Sequence, residues 1–284
     1  MEVLRQENDE TTSLLKQTSE ATSSNHVSIT RKIKQPAVSV YRVPITSNWK
    51  IATIILLVAL FFSSFIVGVD TLADKVVENT DPKNDLAFTK ASSEYYAAIH
   101  ASLPSDHPLS ERIAEIGSKL VSAIQGERRF SYHFYVVNDD TINAFAFPGG
   151  EVFINLGLLR YINNSDQIAA VLAHEIIHVE HRHGIRNIYK SQGRIALYGL
   201  IFGIFADDTA TVASTLSILK YGRAKEMESD LFGARLMANA GYSQDAMVQM
   251  LNKLGDIDSR SLAWLSDHPD PKQRARRVAE NTFK

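Results

Sequence analysis

The chain has 284 residues, 45% of them hydrophobic, and its 30 Lys and Arg against 32 Asp and Glu give a formal net charge of −2. That is enough for one sizeable domain with appendages, and the interleaved charge offers no nucleic-acid surface, so nucleic acid is set aside as a partner. No cysteine is present. Disulfides, thiolate ligands and the lipid-modified N-terminal cysteine of a bacterial lipoprotein are therefore excluded, and any metal must be held by His, Asp or Glu.

Residues 1–30 hold ten Ser or Thr between positions 11 and 30 and few large apolar residues, which predicts disorder. Arg31, Lys32, Lys34, Arg42 and Lys50 follow with no acidic residue among them, so residues 1–50 form a disordered segment with a basic flank. Ile51–Val69 then runs nineteen residues without a charge. At about 1.5 Å per residue this matches a bilayer core of about 30 Å, and a soluble helix of that length would show a polar face. Residues 51–69 are expected to form one transmembrane helix, with Trp49 and Lys50 as an interfacial anchor. Acidic Asp70, Asp74, Glu78, Asp81 and Asp85 come after it. The positive-inside rule keeps the N-terminus cytoplasmic and sends the rest across, which for a cell (inner) membrane means the periplasmic side. A cleaved signal peptide would need a fifty-residue leader, and Glu2, Glu7, Asp9, Glu10 and Glu20 argue against a mitochondrial transit peptide.

Residues 70–85 read as a polar connector and 86–284 as the main folded domain. Leu86–Ser102 predicts a helix, Pro104–Pro108 a break, and Leu109–Ile124 an amphipathic helix with Leu109, Ile113, Ile116, Leu120 and Ile124 inward. Ser131–Val137, Ile142–Phe147 and Glu151–Asn155 predict three strands, the last two joined by Pro148-Gly149-Gly150. A helix capped by Asn164 or Ser165 runs to about His183 with Ile168, Leu172, Ile176 and Val179 on its core side. Ile195–Phe205 is apolar but short for a span and predicts a buried or membrane-apposed helix. Thr211–Gly241, Ser243–Leu254 and Gln273–Glu280 complete the helices, the last after a break at Asp267–Pro271.

The chemistry centres on Val171–Gly184, V-L-A-H-E-I-I-H-V-E-H-R-H-G. H-E-x-x-H on a helix puts His174 and His178 one turn apart on one face, able to chelate zinc, and Glu175 beside them can take a proton from the attacking water. The apolar neighbours put this cluster in a buried helix, where His-Glu-His without a purpose would be unfavourable. A third ligand is needed. A histidine six residues after His178 would make a metzincin, but that position is Gly184. The best candidate is Glu226, in R-A-K-E-M-E-S-D, with Asp230 one turn on to accept a hydrogen bond from a ligand histidine. Arg223, a turn before Glu226, is either a helix salt bridge or a group that holds the acidic residues or an oxyanion. Glu228 points elsewhere and is expected to be solvated, and His181 is expected on the surface.

Four stretches together, N-A-F-A-F-P-G-G-E-V-F-I-N-L-G-L-L (Asn143–Leu159), H-E-I-I-H-V-E-H-R-H (His174–His183), R-A-K-E-M-E-S-D (Arg223–Asp230) and H-P-D-P-K-Q-R (His268–Arg274), resemble zinc metallopeptidase family forty-eight. That family includes the HtpX, BepA and Oma-type proteases and the CAAX prenyl proteases. The resemblance covers roughly residues 90–280. It implies an α+β, mainly helical gluzincin domain with a small antiparallel sheet, preceded here by one transmembrane helix. It also implies one zinc ion per chain on His174, His178 and Glu226, Glu175 as general base, and Asp230 behind a ligand. The strand at Asn143, Ala144 and Phe145 would bind extended substrate. His268 matches a family histidine near the active site that stabilises the transition state or covers the metal, and His183 matches a position that is not a ligand.

The expected function is a membrane-anchored zinc endopeptidase that acts on misfolded or misassembled polypeptides in quality control, with no oligomeric state implied. The alternative is a non-catalytic, zinc-stabilised chaperone or adaptor that grips extended segments, which the presence of Glu175 disfavours.

Overall fold

The structure is a computed structural model that describes residues 49–162, 164–202, 220–257, 264 and 267–282. The expectations for residues 1–48 and for 203–219 lie outside the described residues. In chain order the elements are α1 (Trp49–Asn79), α2 (Lys83–Ile99), α3 (Pro108–Ser122), β1 (His133–Val137), β2 (Ala144–Phe147) and β3 (Glu151–Asn155). They continue with α4 (Leu156–Tyr161), α5 (Ser165–Glu180), α6 (His183–Phe202), α7 (Arg223–Asn239), α8 (Asp245–Gly255) and α9 (Pro271–Thr282). The fold is mainly helical with one small sheet, and α1 is long and apolar enough to cross a membrane by length and composition.

Helix α5 is the axis of the domain. Asn164 accepts a hydrogen bond from the Asp166 amide at 2.7 Å and starts the helix, while Asp166 sits at its positive end. Every residue from Ile168 to Glu180 is buried, not only the expected stripe of Ile168, Leu172, Ile176 and Val179. Helices α3, α7, α8 and the sheet surround it, so each side of the helix faces protein. Truncating a side chain such as Leu172 to Ala here would cost about 2–5 kcal/mol. Gly233 on α7 permits the closest approach: a Cβ there would meet the His174 amide nitrogen at 3.3 Å and the Met247 Cε at 3.0 Å.

The sheet order is β1-β3-β2, with β2 antiparallel to β3 and β1 parallel to it. The sheet is therefore mixed rather than wholly antiparallel: Pro148–Gly150 makes a hairpin of β2 and β3, while the chain leaving β1 crosses to the far edge before β2 begins. Gly150 adopts φ 112°, and a Cβ there would stand 2.3 Å from the Ser131 carbonyl oxygen. Two-residue alternation sorts the side chains. Ala144, Ala146, Val152 and Ile154 join the main core beneath α5, whereas Phe145, Phe147 and Phe153 form an aromatic layer with Tyr96 and Tyr221. The two alanines let the sheet lie close to α5.

Several boundaries differ from the sequence reading: within the expected helix Thr211–Gly241 residues 220–222 are not helical and the helix begins at Arg223, and two further differences rest on distant partners. Helix α1 runs through the expected connector to Asn79, because Asp70, Asp74 and Glu78 recur every four residues and meet cations of α6: Arg194 on Asp70, Lys190 on Asp74 at 2.7 Å, and Arg186 on Asp74 and Glu78 at 3.3 and 3.5 Å. The metal-motif helix ends at Glu180 rather than His183. Arg182 takes a left-handed φ of 54° without a glycine. Its buried guanidinium compensates by donating to Asp85 at 2.6 and 2.8 Å and to the Thr80 carbonyl at 2.9 Å.

Candidate metal centre

One helical turn of α5 brings His174 Nε2 and His178 Nε2 to 3.0 Å. Glu226, in the first turn of α7 where the helix dipole favours a negative charge, sets Oε1 at 3.3 Å from His178 Nε2 and Oε2 at 3.6 Å from His174 Nε2. From the turn before α9, His268 Nδ1 reaches both Glu226 oxygens at 3.1 Å and His174 Nε2 at 3.2 Å. The four donor atoms lie within 4.8 Å of one another and all four residues are buried. Two donors at about 2.0–2.1 Å from a tetrahedral zinc would stand roughly 3.3 Å apart, which is the scale of these separations.

The rest of the cluster fixes which way the protons face. A carboxylate only accepts, so His174 Nδ1 donates to Asp230 Oδ1 at 2.9 Å and its Nε2 presents a lone pair to the centre. Both oxygens of Asp230 accept from one edge of Arg274, at 2.7 Å from Nε and 2.6 Å from Nη2, and Nη1 of the same guanidinium stands 2.6 Å from Glu226 Oε2. Burial holds His174 below and His178 well below the usual imidazole range, which keeps both rings neutral, as a metal requires. Glu226 stays well below the carboxylate range although burial opposes this, because His268 and Arg274 face it.

Glu175 is different. Neither of its buried oxygens has a hydrogen-bond partner among the described residues, and burial pushes its carboxyl up to about 8. Three buried carboxylates, on Glu175, Glu226 and Asp230, face the buried guanidinium of Arg274 and the imidazole of His268, whose Nε2 lies 3.6 Å from Glu175 Oε1. With all three ionised and His268 neutral, as a donor to a metal would be, two negative charges remain, so the donor set and its charge both fit a divalent cation such as zinc.

Aromatic rings hold the imidazoles from outside. Tyr221 stacks on His178 with centroids 3.9 Å apart, and Trp264 stacks on His268 at 4.7 Å with Arg274 over its other ring contact at 5.1 Å. The backbone ties this wall to the sheet, since the Trp264 amide donates to the Ile142 carbonyl at 3.2 Å. Asn143 follows directly, with a buried side-chain oxygen that has no partner among the described residues. Ala144 and Phe145 open β2, which is an edge strand of the described sheet.

With this geometry established, comparison with known proteins is decisive. The sequence model of Peptidase family M48 matches residues 108–282. The chain belongs to Peptidase family M48. That family is one of peptidases, whose chemistry is the hydrolysis of peptide bonds. The chain is similar to the beta-barrel assembly-enhancing protease of Yersinia pestis, 34% identical over 63% of this chain and 40% of that protein, and to the protein of the same name in Escherichia coli strain K12, 30% identical over 77% and 50%. It is also similar to mitochondrial metalloendopeptidase OMA1 of Schizosaccharomyces pombe, 29% identical over 68% and 58%. The chain spans about half the length of these curated relatives.

In this M48 chain the structure brings together His174, Glu175, His178, Glu226, Asp230 and His268, drawn from three separate stretches. It does not bring Arg223 there. That side chain is 76% exposed and its Nε donates to Asp270 at 2.6 Å, because the start of α7 turns it outward. Arg274, to which the sequence reading gave no role, is the cation that holds the acidic residues. Glu228 is not simply solvated, since one oxygen accepts from His181 Nδ1 at 2.7 Å and the other lies 3.3 Å from His183 Nε2. His181 is accordingly half-buried rather than a free surface group.

Proposed function

We propose that the chain is a membrane-anchored zinc endopeptidase of protein quality control, working at the extracytoplasmic face of a cell membrane on misfolded or misassembled polypeptides. His174, His178 and Glu226 would hold the zinc ion. Bound there, it would supply Lewis acidity, polarising a peptide carbonyl and making a water easier to deprotonate. Glu175 is the base: its carboxylate, beside the donor atoms and free of hydrogen bonds among the described residues, takes the proton of the attacking water and delivers it to the leaving amine. Asp230 and Arg274 keep His174 in the tautomer that leaves Nε2 free. An extended substrate would lie along β2, with Asn143, Ala144 and Phe145 supplying backbone and side-chain contacts. His268 directs Nδ1 into the donor set, which suits a group that closes the site in a resting form and must swing away with Trp264 for turnover.

The convergence of His174, His178 and Glu226 around Glu175, whose oxygens accept no hydrogen bond among the described residues, carries this reading, and the names of the bacterial and mitochondrial relatives support the quality-control assignment. The exposed apolar length of α1 supports the anchor. Glu175→Gln should abolish cleavage of an unfolded protein such as casein while zinc stays bound. Full activity in that variant would sink the mechanism, and chelator-insensitive cleavage would remove the metal. A reporter fused after Lys284 that is active in the cytoplasm would overturn the topology.

A further inference from the structure

The two candidate ligand histidines are oriented by different means, and only His174 has a carboxylate directly behind it. Behind His178 stands another histidine. We propose that His183 and Glu228 form a hydrogen-bond relay that sets the tautomer and ring plane of His178, so that both act as positioning residues for the metal centre. This rests on the reading of His178 as a ligand.

The hydrogens can be counted along the relay. For His178 Nε2 to present a lone pair to the centre, its single ring hydrogen must sit on Nδ1. That atom lies 3.0 Å from His183 Nδ1. His183 Nδ1 must then accept, which puts the His183 hydrogen on Nε2, 3.3 Å from Glu228 Oε2. The other Glu228 oxygen accepts from His181 Nδ1 at 2.7 Å, which fixes the carboxylate. The opposite tautomer of His183 would set a ring lone pair against a carboxylate and an N–H against the N–H of His178. Ser229 Oγ, at 3.5 Å from His183 Nδ1, is too far to compensate. The backbone makes the arrangement possible: the left-handed Arg182 ends α5 and returns the chain so that His183 crosses in front of His178.

His181, His183 and Glu228 also have the spacing of a metal-binding trio. The relay excludes that use of His183, because a metal on Nε2 would displace the hydrogen that lets Nδ1 accept from His178. The cleft of about 410 Å³ over this trio is moreover lined by Arg129, Arg182, Arg186 and Lys225 against the two carboxylates of Glu180 and Glu228, a positive excess that opposes a second cation.

The test uses the full chain in detergent micelles, with zinc affinity read by chelator competition and ring tautomers by nitrogen-15 imidazole spectra. Wild type should bind one zinc and show hydrogen on His178 Nδ1 and His183 Nε2. His183→Leu should weaken zinc binding roughly 10- to 100-fold, as loss of such a supporting group usually does. His183→Asn, whose side-chain oxygen can accept where Nδ1 did, should restore most of it. Glu228→Ala, at a partly exposed position where folding is not at stake, should weaken binding about tenfold. Wild-type affinity in both His183→Leu and Glu228→Ala, the opposite tautomers, or an Asn variant as weak as Leu would overturn the relay. So would a second zinc equivalent that Glu228→Ala removes. Undiminished zinc binding in His178→Ala would overturn the ligand reading as well, whereas its loss there alone would spare that reading.

Discussion

The two imidazoles of the H-E-x-x-H turn lie four residues apart on one helix, yet one is anchored in the core and the other toward solvent. His174 rests on Asp230, which is fully buried and clamped by Arg274. His178 rests on His183 and through it on Glu228, whose side chain is 43% exposed. Electrostatic interactions are several-fold stronger in the dry interior than at the surface, so the first support is strong but intolerant of change, and the second is weaker and more forgiving.

The largest expected effect is at the buried end. Arg274→Ala would leave Asp230 and Glu226 buried without their cation, and breaking a buried pair in this way costs about 3–5 kcal/mol. Chemical denaturation should show that loss, against no more than about 1 kcal/mol for Glu228→Ala, where water can solvate what remains. Equal stabilities would break the comparison. Zinc affinity sharpens it. Asp230→Asn keeps an acceptor beside His174 Nδ1 but removes the charge, and should weaken zinc binding by roughly 10- to 100-fold. If Glu228→Ala weakened it more than Asp230→Asn did, the outer support would be the dominant one.

What could be read from the sequence was whatever a single helical period encodes. His174 with His178, and Glu226 with Asp230, are each one turn apart, so their faces follow from spacing alone. The apolar run before Asp70 was legible for the same reason. The features missed are those set by residues far apart in the chain. Arg274 stands in a helix with Arg276 and Arg277, and no local pattern tells which of the three turns inward. The end of α5 at Arg182 carries no glycine or proline and arises from Asp85 and the Thr80 carbonyl, some hundred residues earlier. The helical course of residues 70–79 likewise depends on cations of α6. Glu228 looked solvated because its partners, His181 and His183, sit on the other side of a turn that the helical pattern did not predict.

A smaller effect separates Glu175 from its charged neighbours. Burial raises its carboxyl to about 8 from an ordinary value of 4.5. A raised acid favours folding in its protonated form, so the penalty is absent below the unfolded value, grows as pH rises between the two, and is complete above about 8. Glu226 and Asp230 have the opposite sign and are common to wild type and variant. In chelated protein Glu175→Gln should therefore match wild type in thermal stability at pH 4 and exceed it at pH 9, by a few kcal/mol at about 1.4 kcal/mol per pKa unit. Parallel stability curves would mean that Glu175 finds a counter-charge without the metal.

The smallest effect is expected at Arg223, and it tests whether nearness in sequence to Glu226 carries any function. Among the described residues its partner is Asp270, itself 39% exposed, and an ion pair so open to water contributes at most about 1 kcal/mol. Asp270 belongs to the turn between His268 and α9, which puts the pair next to that histidine. Pro269 and Pro271 already fix φ on either side, however, and α9 is tied down by the grip of Arg274 on Asp230. Arg223→Ala should then stay within about 0.5 kcal/mol of wild type in stability, with kcat/KM and zinc affinity unchanged. A tenfold fall in kcat/KM with stability intact would instead mean that the first turn of α7 reaches the reacting groups from outside, and that the core-side cation is not sufficient.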